Sequence, residues 1–149
     1  MRAITMLISL LLVFAAPAQA DGPHRLMEQF RQAFQQRNST AVAALFAPDA
    51  SVKVTLLMEQ EAPMVVSLSR AEYLQQQRAL WNFASDYSFT VGDLETQQVT
   101  QGWQLTFNQK ERYRLFQGTL NRDNRITLQT EIRDGKSVIT AIHTRTRQW

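Results

Sequence analysis

The 149-residue sequence contains no cysteine. It can therefore form no disulfide, and it has no thiol nucleophile, no cysteine-based zinc site and no cysteine to carry a lipid anchor. Glycine and proline are also scarce, at five and four residues, which excludes collagen-like and low-complexity chains. The remaining composition is ordinary, with 44% hydrophobic residues, and is sufficient for the core of one domain.

Sequence signals for metals, cofactors and nucleic acids are missing as well. The chain has only two histidines and neither an H-E-x-x-H nor an EF-hand motif, so no metal site is predicted. No motif indicates a phosphate, nucleotide or haem site, so no cofactor is predicted. The formal net charge of +3 is a small excess for a whole domain, and no aromatic residue is interleaved with Lys110, Arg112 and Arg114 on their own strand face. We therefore predict no nucleic-acid partner.

Residues 1–20 have the pattern of a secretory signal peptide. A short positive start, Met1-Arg2, precedes an apolar stretch over residues 4–16, and Ala18-Gln19-Ala20 provides a small-x-small cleavage site. The apolar stretch is too short to span a bilayer comfortably. We expect cleavage near Ala20, a single domain over residues 21–149, a periplasmic or secreted location, and no membrane insertion after cleavage.

Hydrophobic periodicity and capping residues predict three helices. Apolar residues recur with helical spacing over residues 23–37. Asn38-Ser39 is expected to cap a second, shorter helix that ends at Pro48. Ser69-Arg70-Ala71-Glu72 forms a capping box, which predicts a third helix that continues to about Ala84.

Alternating apolar residues predict strands on either side of the third helix. Two short strands, over residues 52–56 and 64–68, precede that helix. After it, every second residue from Val99 to Phe107 lies on one face of a predicted strand, and residues 111–115 belong to the next strand. Two more strands cover residues 126–132 and 137–147. Residues 121–124 are predicted to form a polar turn. Asp134-Gly135 predicts a hairpin, because a type I′ turn requires positive φ at both central positions.

This order of elements resembles the nuclear transport factor 2-like (NTF2-like) superfamily, which includes ketosteroid isomerase and the SnoaL-like cyclases. Residues 45–52 (LFAPDASV) resemble the junction from its second helix to its first strand, and residues 68–74 (LSRAEYL) resemble the start of its third helix. The resemblance implies an α+β, cystatin-like fold, in which a curved antiparallel sheet packs on a long N-terminal helix and two further helices. It also implies a homodimer formed through the sheet.

The resemblance does not carry an isomerase mechanism to this chain. If Asp49-Ala50 is aligned with the Asp-Ala pair of ketosteroid isomerase, Val54 stands at the position of the general base, and a valine cannot accept a proton. Glu111 and His143 are the remaining weak candidates for acid–base catalysis. His143 shares a strand face with Arg145 and Arg147, which favours a solvated outer face, and His24 is expected to be exposed.

Aromatic residues form the better candidate for a ligand site. Trp103 and Tyr113 are predicted to face the helices from the concave sheet, with Tyr73 and Trp81 arriving from the third helix. Tryptophan and tyrosine combine an apolar body with a polar group, which suits a pocket for a small apolar or amphipathic ligand. Plain core packing is the alternative for each of them.

Basic residues mark a second surface. Lys110, Arg112 and Arg114 share one strand face, and Arg145 and Arg147 extend it if the last strand lies nearby. Such a face attracts anions, although charges that keep an exposed sheet soluble are the simpler interpretation.

Three functions are compatible with the sequence. The first is a non-catalytic module that binds a small molecule in the concave aromatic pocket or interacts with a protein. The second is a small isomerase, cyclase or hydrolase with an acid–base residue in the same pocket. The third is an accessory or immunity-type subunit whose protein partner covers the polar outer face of the sheet. The absent general base and the scarce histidines favour the first.

Overall fold

The computed structural model describes residues 22–149, and these contain three helices. Helix α1 covers Gly22–Gln35, α2 covers Ser39–Leu45 and α3 covers Arg70–Phe83. The predicted signal peptide lies outside the described residues. Over residues 22–149, no helix has the length and apolar character that crossing a membrane requires.

The residues predicted to cap α2 and α3 form the expected hydrogen bonds in the structure. The Asn38 side chain accepts a hydrogen bond from the Ala41 backbone N–H at 3.0 Å, which begins α2. Ser69 and Glu72 form the capping box of α3, each side chain accepting a backbone N–H of the other residue. The predicted starts of both helices are therefore confirmed, because each depends on residues only three positions apart.

Six long strands form a single sheet in the order β2-β1-β6-β5-β4-β3. The strands are β1 Phe46–Leu57, β2 Met64–Ser69, β3 Ser85–Val99, β4 Gly102–Leu115, β5 Gly118–Arg133 and β6 Lys136–Gln148. The α+β, NTF2-like and cystatin-like fold class is confirmed. One detail differs from a purely antiparallel sheet: β1 and β6 are parallel. The chain crosses through α3 to the far edge and returns by three hairpins, so β6 runs beside β1 in the same direction.

Two turns were predicted from the sequence, and the structure confirms one of them. Asp134 and Gly135 have φ values of 52° and 72°, which confirms the predicted hairpin between β5 and β6. The predicted turn at residues 121–124 is wrong, because these residues lie inside β5 and pair with residues 109–112 of β4. The chain turns instead at Phe116, whose φ is 57°.

The strand expected from Val99 to Phe107 is also corrected. The chain turns at Thr100 and Gln101 between β3 and β4, so Val99 belongs to the earlier strand. Residues 111–115, expected in a separate strand, continue β4. Alternation alone cannot show a tight turn that preserves the apolar pattern on both sides.

The hydrophobic core lies between one face of the sheet, here the inner face, and the helices. Phe107 of β4 is fully buried and packs edge-on against Phe30 of α1, with ring centroids 5.7 Å apart. Phe34 of α1 contacts Trp81 of α3 in the same way, at 5.4 Å. The inner face is buried by these contacts, and the outer face carries most of the charged residues of the sheet.

Candidate functional site

The inner face of β4 changes from apolar to polar along the strand. Leu105 and Phe107 are followed, at the same period of two residues, by Gln109 and Glu111. These last two side chains are only 2% and 5% exposed. Because a buried polar group needs partners inside the protein, this half of the inner face requires a hydrogen-bond network.

The network joins four strands. Tyr87 Oη of β3 donates to Glu111 Oε1 at 2.7 Å, and Asn124 Nδ2 of β5 donates to Glu111 Oε2 at 3.1 Å. Asn124 Nδ2 also lies 3.1 Å from Gln109 Oε1, and Thr146 Oγ1 of β6 donates to Asn124 Oδ1 at 2.8 Å. We call Tyr87, Gln109, Glu111, Asn124 and Thr146 the interior polar cluster.

Strand register brings this cluster together. Gln109, Asn124 and Thr146 are direct cross-strand neighbours on β4, β5 and β6. Arg122 is the direct neighbour of Glu111, yet its guanidinium carbon lies 5.4 Å from the Tyr113 ring centroid and its Nε donates to Gln148. Within residues 22–149, Glu111 has no ion pair. Its carboxylate is held by neutral donors.

Four buried side-chain polar atoms have no hydrogen-bond partner in the described part of the chain: Arg70 Nε, Gln77 Oε1, Trp81 Nε1 and Gln109 Nε2. Gln109 Nε2 is a buried donor, and Gln77 Oε1 of α3 is a buried acceptor. Gln77 lies one turn from both Tyr73 and Trp81, on the stripe of α3 that these two buried aromatics define. A buried donor or acceptor without a partner costs free energy, so Gln77 Oε1 and Gln109 Nε2 indicate capacity for a further polar group.

The burial of the cluster changes the acidity of nearby phenols. Burial, followed by the charge of Glu111, raises the pKa of Tyr87 far above its ordinary value, and an interaction with Trp81 opposes this only in part. Burial and the charge of Glu111 also raise the pKa of Tyr73. Both phenols therefore keep their protons at physiological pH, and Tyr87 remains a donor to Glu111.

The structure separates Trp103 from Tyr113, two of the four aromatic residues predicted to line one pocket. Tyr113 stacks on Tyr87 of the cluster at 6.1 Å between centroids, and burial raises the pKa of Tyr113. Tyr73 and Trp81 are buried on α3. Trp103 lies ten residues from Tyr113 on the same strand, which corresponds to about 33 Å. Trp103 packs on the hydrophobic core at the opposite end of the sheet.

The two weak catalytic candidates lie on opposite faces. Glu111 belongs to the interior polar cluster, whereas His143 lies on the outer face of β6, with its Nε2 3.1 Å from Thr55 Oγ1. Partial burial, and then the charges of Lys53 and Arg145, lower the pKa of His143. The pair therefore cannot act on one substrate group. His24 is exposed on α1.

Four members of the cluster were not selected from the sequence: Tyr87, Gln109, Asn124 and Thr146. A signal for Gln109 was present, because it stands between buried Phe107 and the candidate Glu111 in a strict alternation of two. Asn124 was not recognised as a buried strand residue, because it lies in the polar run at residues 121–124 that was predicted to be a turn. Val54, the residue at the position of an isomerase base, lies on β1 opposite Thr144 and Val66 and packs at the margin of the core.

Comparisons with known proteins identify the fold. No protein-family model matches the chain, and no curated protein matches its sequence. Among solved structures, an NTF2-like protein from Cytophaga hutchinsonii superposes with a TM-score of 0.66 at 12% identity, covering 85% of this chain and 97% of that one.

Two further structures are similar to the same extent. Hexachlorocyclohexane dehydrochlorinase LinA-type3 from Novosphingobium barchaimii has a TM-score of 0.65 at 15% identity, with 84% of each chain covered. An uncharacterised protein with a cystatin-like fold from Caulobacter vibrioides has a TM-score of 0.62 at 14% identity, covering 85% of this chain and 87% of that one. At identities this low, the similarity shows a shared fold and gives no information about activity. The chain has the NTF2-like, cystatin-like fold.

Proposed function

We propose that this protein is a small-molecule-binding domain whose ligand is held between α3 and the interior polar cluster. The observation that carries the proposal is a pair of the buried polar atoms without partners, Gln109 Nε2 and Gln77 Oε1. Asn124, which donates to Gln109 Oε1, also donates to the Glu111 carboxylate, and Tyr87 donates to the same carboxylate. Unpaired buried polar groups in a native protein call for an explanation, and a ligand that pairs with them provides one.

The lining defines the chemical class of this ligand. Tyr73, Trp81 and Tyr113 are at most 8% exposed and supply aromatic surface around the cluster. Gln109 offers one donor and Gln77 one acceptor. A small, largely apolar molecule with a carbonyl or hydroxyl group satisfies both requirements, because apolar contact supplies affinity and the polar atoms fix orientation.

An acid–base enzyme using the same site is the second candidate function. The buried Glu111 carboxylate, which accepts a hydrogen bond from Tyr87 at 2.7 Å, favours it, because a positioned carboxylate can take a proton from a bound substrate and return it. The named neighbours include a dehydrochlorinase. In such a reaction Glu111 would be the proton acceptor and Asn124 would orient it.

The proposed location is the periplasm or the outside of the cell, after cleavage near Ala20. The support for this is the n-region, apolar stretch and cleavage pattern of residues 1–20. A homodimer or a protein partner that covers the sheet is the third proposal, and its support is the resemblance in fold.

Native mass spectrometry of the protein recovered from cells tests the binding function. We expect a reproducible added mass on the wild type and on Glu95→Gln, a control acid that is 72% exposed on the outer face. Gln109→Met, which keeps the shape of the side chain and removes its donor, should lose the added mass. An added mass that Gln109→Met retains would refute this site, and so would a wild type that carries none and binds no member of a library of small carbonyl compounds and alcohols.

Incubation of the same library with wild type and Glu111→Gln separates the second candidate from the first. A binding domain keeps every compound unchanged in both proteins. An enzyme converts a compound in the wild type, and Glu111→Gln slows that conversion at least a hundredfold, because general acid–base catalysis contributes factors of about 10² to 10⁴.

A further inference from the structure

The outer face of the sheet contains a groove whose chemistry differs from that of the interior polar cluster. An open groove of about 720 Å³ crosses this face, away from the helices. Two rows of cross-strand neighbours form its floor: Asn108, Arg125 and Arg145 in one row, and Lys110, Asp123 and Arg147 in the other. We call this feature the basic groove. Its lining also includes Gln109 and Asn124 of the interior polar cluster, but its basic residues all stand on the outer face.

Positive charge in the basic groove exceeds the negative charge available to neutralise it. Its lining holds Lys110, Arg125, Arg145 and Arg147 against Asp93 and Asp123, and Glu95 outside the lining pairs with Arg125 at 3.4 Å. Asp93 accepts a hydrogen bond from Asn108 Nδ2 at 2.8 Å. Among the described residues, no carboxylate forms an ion pair with Lys110, Arg145 or Arg147.

Two of these cations are placed where they repel each other. Arg125 and Arg145 are direct cross-strand partners on β5 and β6, and like charges at such positions destabilise a sheet. Arg125 is fixed in this position by Asn108 Oδ1 at 3.1 Å and by Glu95 at 3.4 Å. A guanidinium with two polar partners therefore stands at a position directly opposite a second arginine, an arrangement that an anion bound between them would stabilise.

Strand geometry sets the spacing of the donors. Side chains of direct cross-strand partners begin about 5 Å apart, as for Arg125 and Arg145. Arg145 and Arg147 are two residues apart on one face of β6, which separates them by about 7 Å. Three guanidinium groups thus surround an area that accommodates two acidic groups of one small molecule, and guanidinium groups bind phosphate and carboxylate through paired hydrogen bonds.

We propose that the basic groove binds a small anion that carries at least two acidic groups, each a phosphate or a carboxylate. Arg125 and Arg145 hold one acidic group, and Arg147 with Lys110 holds the other. Asp123, between Lys110 and Arg147, opposes the charge of the ligand and limits the affinity. Two copies of the basic groove facing each other would repel, so a homodimer formed through the sheet would have to pair outside the groove.

Isothermal titration calorimetry with the full-chain protein tests this proposal, with pyrophosphate and citrate as probes at low ionic strength. The wild type should bind at least one probe saturably at a ratio of one to one. Arg145→Gln should weaken that binding about tenfold, since a hydrogen-bonded charge contact is lost. Asp123→Asn should strengthen it several-fold. Arg78→Gln, on the exposed face of α3, is the matched control and should leave it unchanged.

Every outcome decides the proposal. Binding of pyrophosphate alone identifies a phosphorylated ligand, binding of citrate alone identifies a polycarboxylate, and binding of both shows the shared chemistry. All three support the site if the variants behave as stated. Absence of saturable binding overturns it, as does equal weakening by Arg145→Gln and Arg78→Gln. Concentration-dependent dimerisation that Arg145→Gln abolishes would assign the groove to a second copy instead.

Discussion

The two faces of strand β4 show how one stretch of sequence serves two chemistries. Gln109, Glu111 and Tyr113 alternate with Lys110, Arg112 and Arg114. The first three are at most 5% exposed, while the basic three are exposed. Polar groups on the inner face must find fixed partners, because water cannot reach them. Basic groups on the outer face keep their hydration and stay available to a charged ligand.

This comparison predicts that neighbouring substitutions have very unequal effects, and Phe107→Ala should have the largest. The side chain is fully buried against Phe30, so its removal should lower the free energy of unfolding by about 3–5 kcal/mol. Thr106→Ala, one position away on the outer face, should change it by less than about 0.5 kcal/mol. Urea denaturation of both variants measures the difference, and equal losses would show that the faces are not distinct.

Asn124→Ala should have the second largest effect, because it removes the centre of the interior polar cluster. Glu111, Gln109 and Thr146 each lose a partner, and the expected loss of unfolding free energy is about 2–4 kcal/mol. The control is Asp123→Asn, the adjacent outer-face residue, with a change below about 0.5 kcal/mol. A loss below 1 kcal/mol for Asn124→Ala would mean that water satisfies the cluster.

Gln109→Met is expected to change the free energy of unfolding in the opposite direction from the two preceding substitutions on the inner face. The variant removes a buried donor without a partner and one neutral hydrogen bond with Asn124. We expect unfolding free energy to be unchanged or raised by about 1 kcal/mol, since an unpaired buried donor costs more than a neutral bond contributes. A clear loss of stability, measured by the same denaturation, would show that Nε2 is satisfied in the protein.

The titration of His143 should show the smallest effect. Its pKa is lowered from 6.5 by partial burial and by Lys53 and Arg145, so its NMR titration midpoint should lie below that value. The unfolded chain then binds more protons, and the contribution of this group to stability should decrease as pH falls below 6.5. Lys53→Gln should move the midpoint upwards, and Arg78→Gln should not. An unmoved midpoint in Lys53→Gln would contradict a positive outer face.

Local interactions explain which parts of the fold could be predicted from the sequence. The caps at Asn38 and Ser69 and the hairpin at Asp134-Gly135 depend on residues within a few positions of one another, and all three predictions are confirmed. The turn predicted at residues 121–124 is wrong because partners on β4 and β6 decide the conformation of Asn124. A polar run in isolation carries no information about those partners.

The candidate site likewise has features that local sequence patterns predict and features that depend on long-range contacts. Alternation predicted Glu111 and Tyr113 on one face of a strand and Trp103 on a face of the preceding strand; in the structure all three lie on the inner face of β4. Their separation along β4, and the meeting of Glu111 with Tyr87 and Asn124, depend on strand lengths and register. These are set by contacts between residues 13 and 24 positions apart, which period counting does not capture.

The parallel pairing of β1 with β6 has a consequence for how the molecule is assembled. The final strand in the chain occupies a central place in the sheet and alone joins the β2–β1 pair to the other three strands. During synthesis, β1 cannot pair with β6 until residues about 90 positions downstream have been made, so one edge of β1 stays unpaired until then. Such long-range closure slows folding and leaves the incomplete chain open to self-association. A nascent chain that stops before Lys136 would therefore hold two unjoined fragments of sheet.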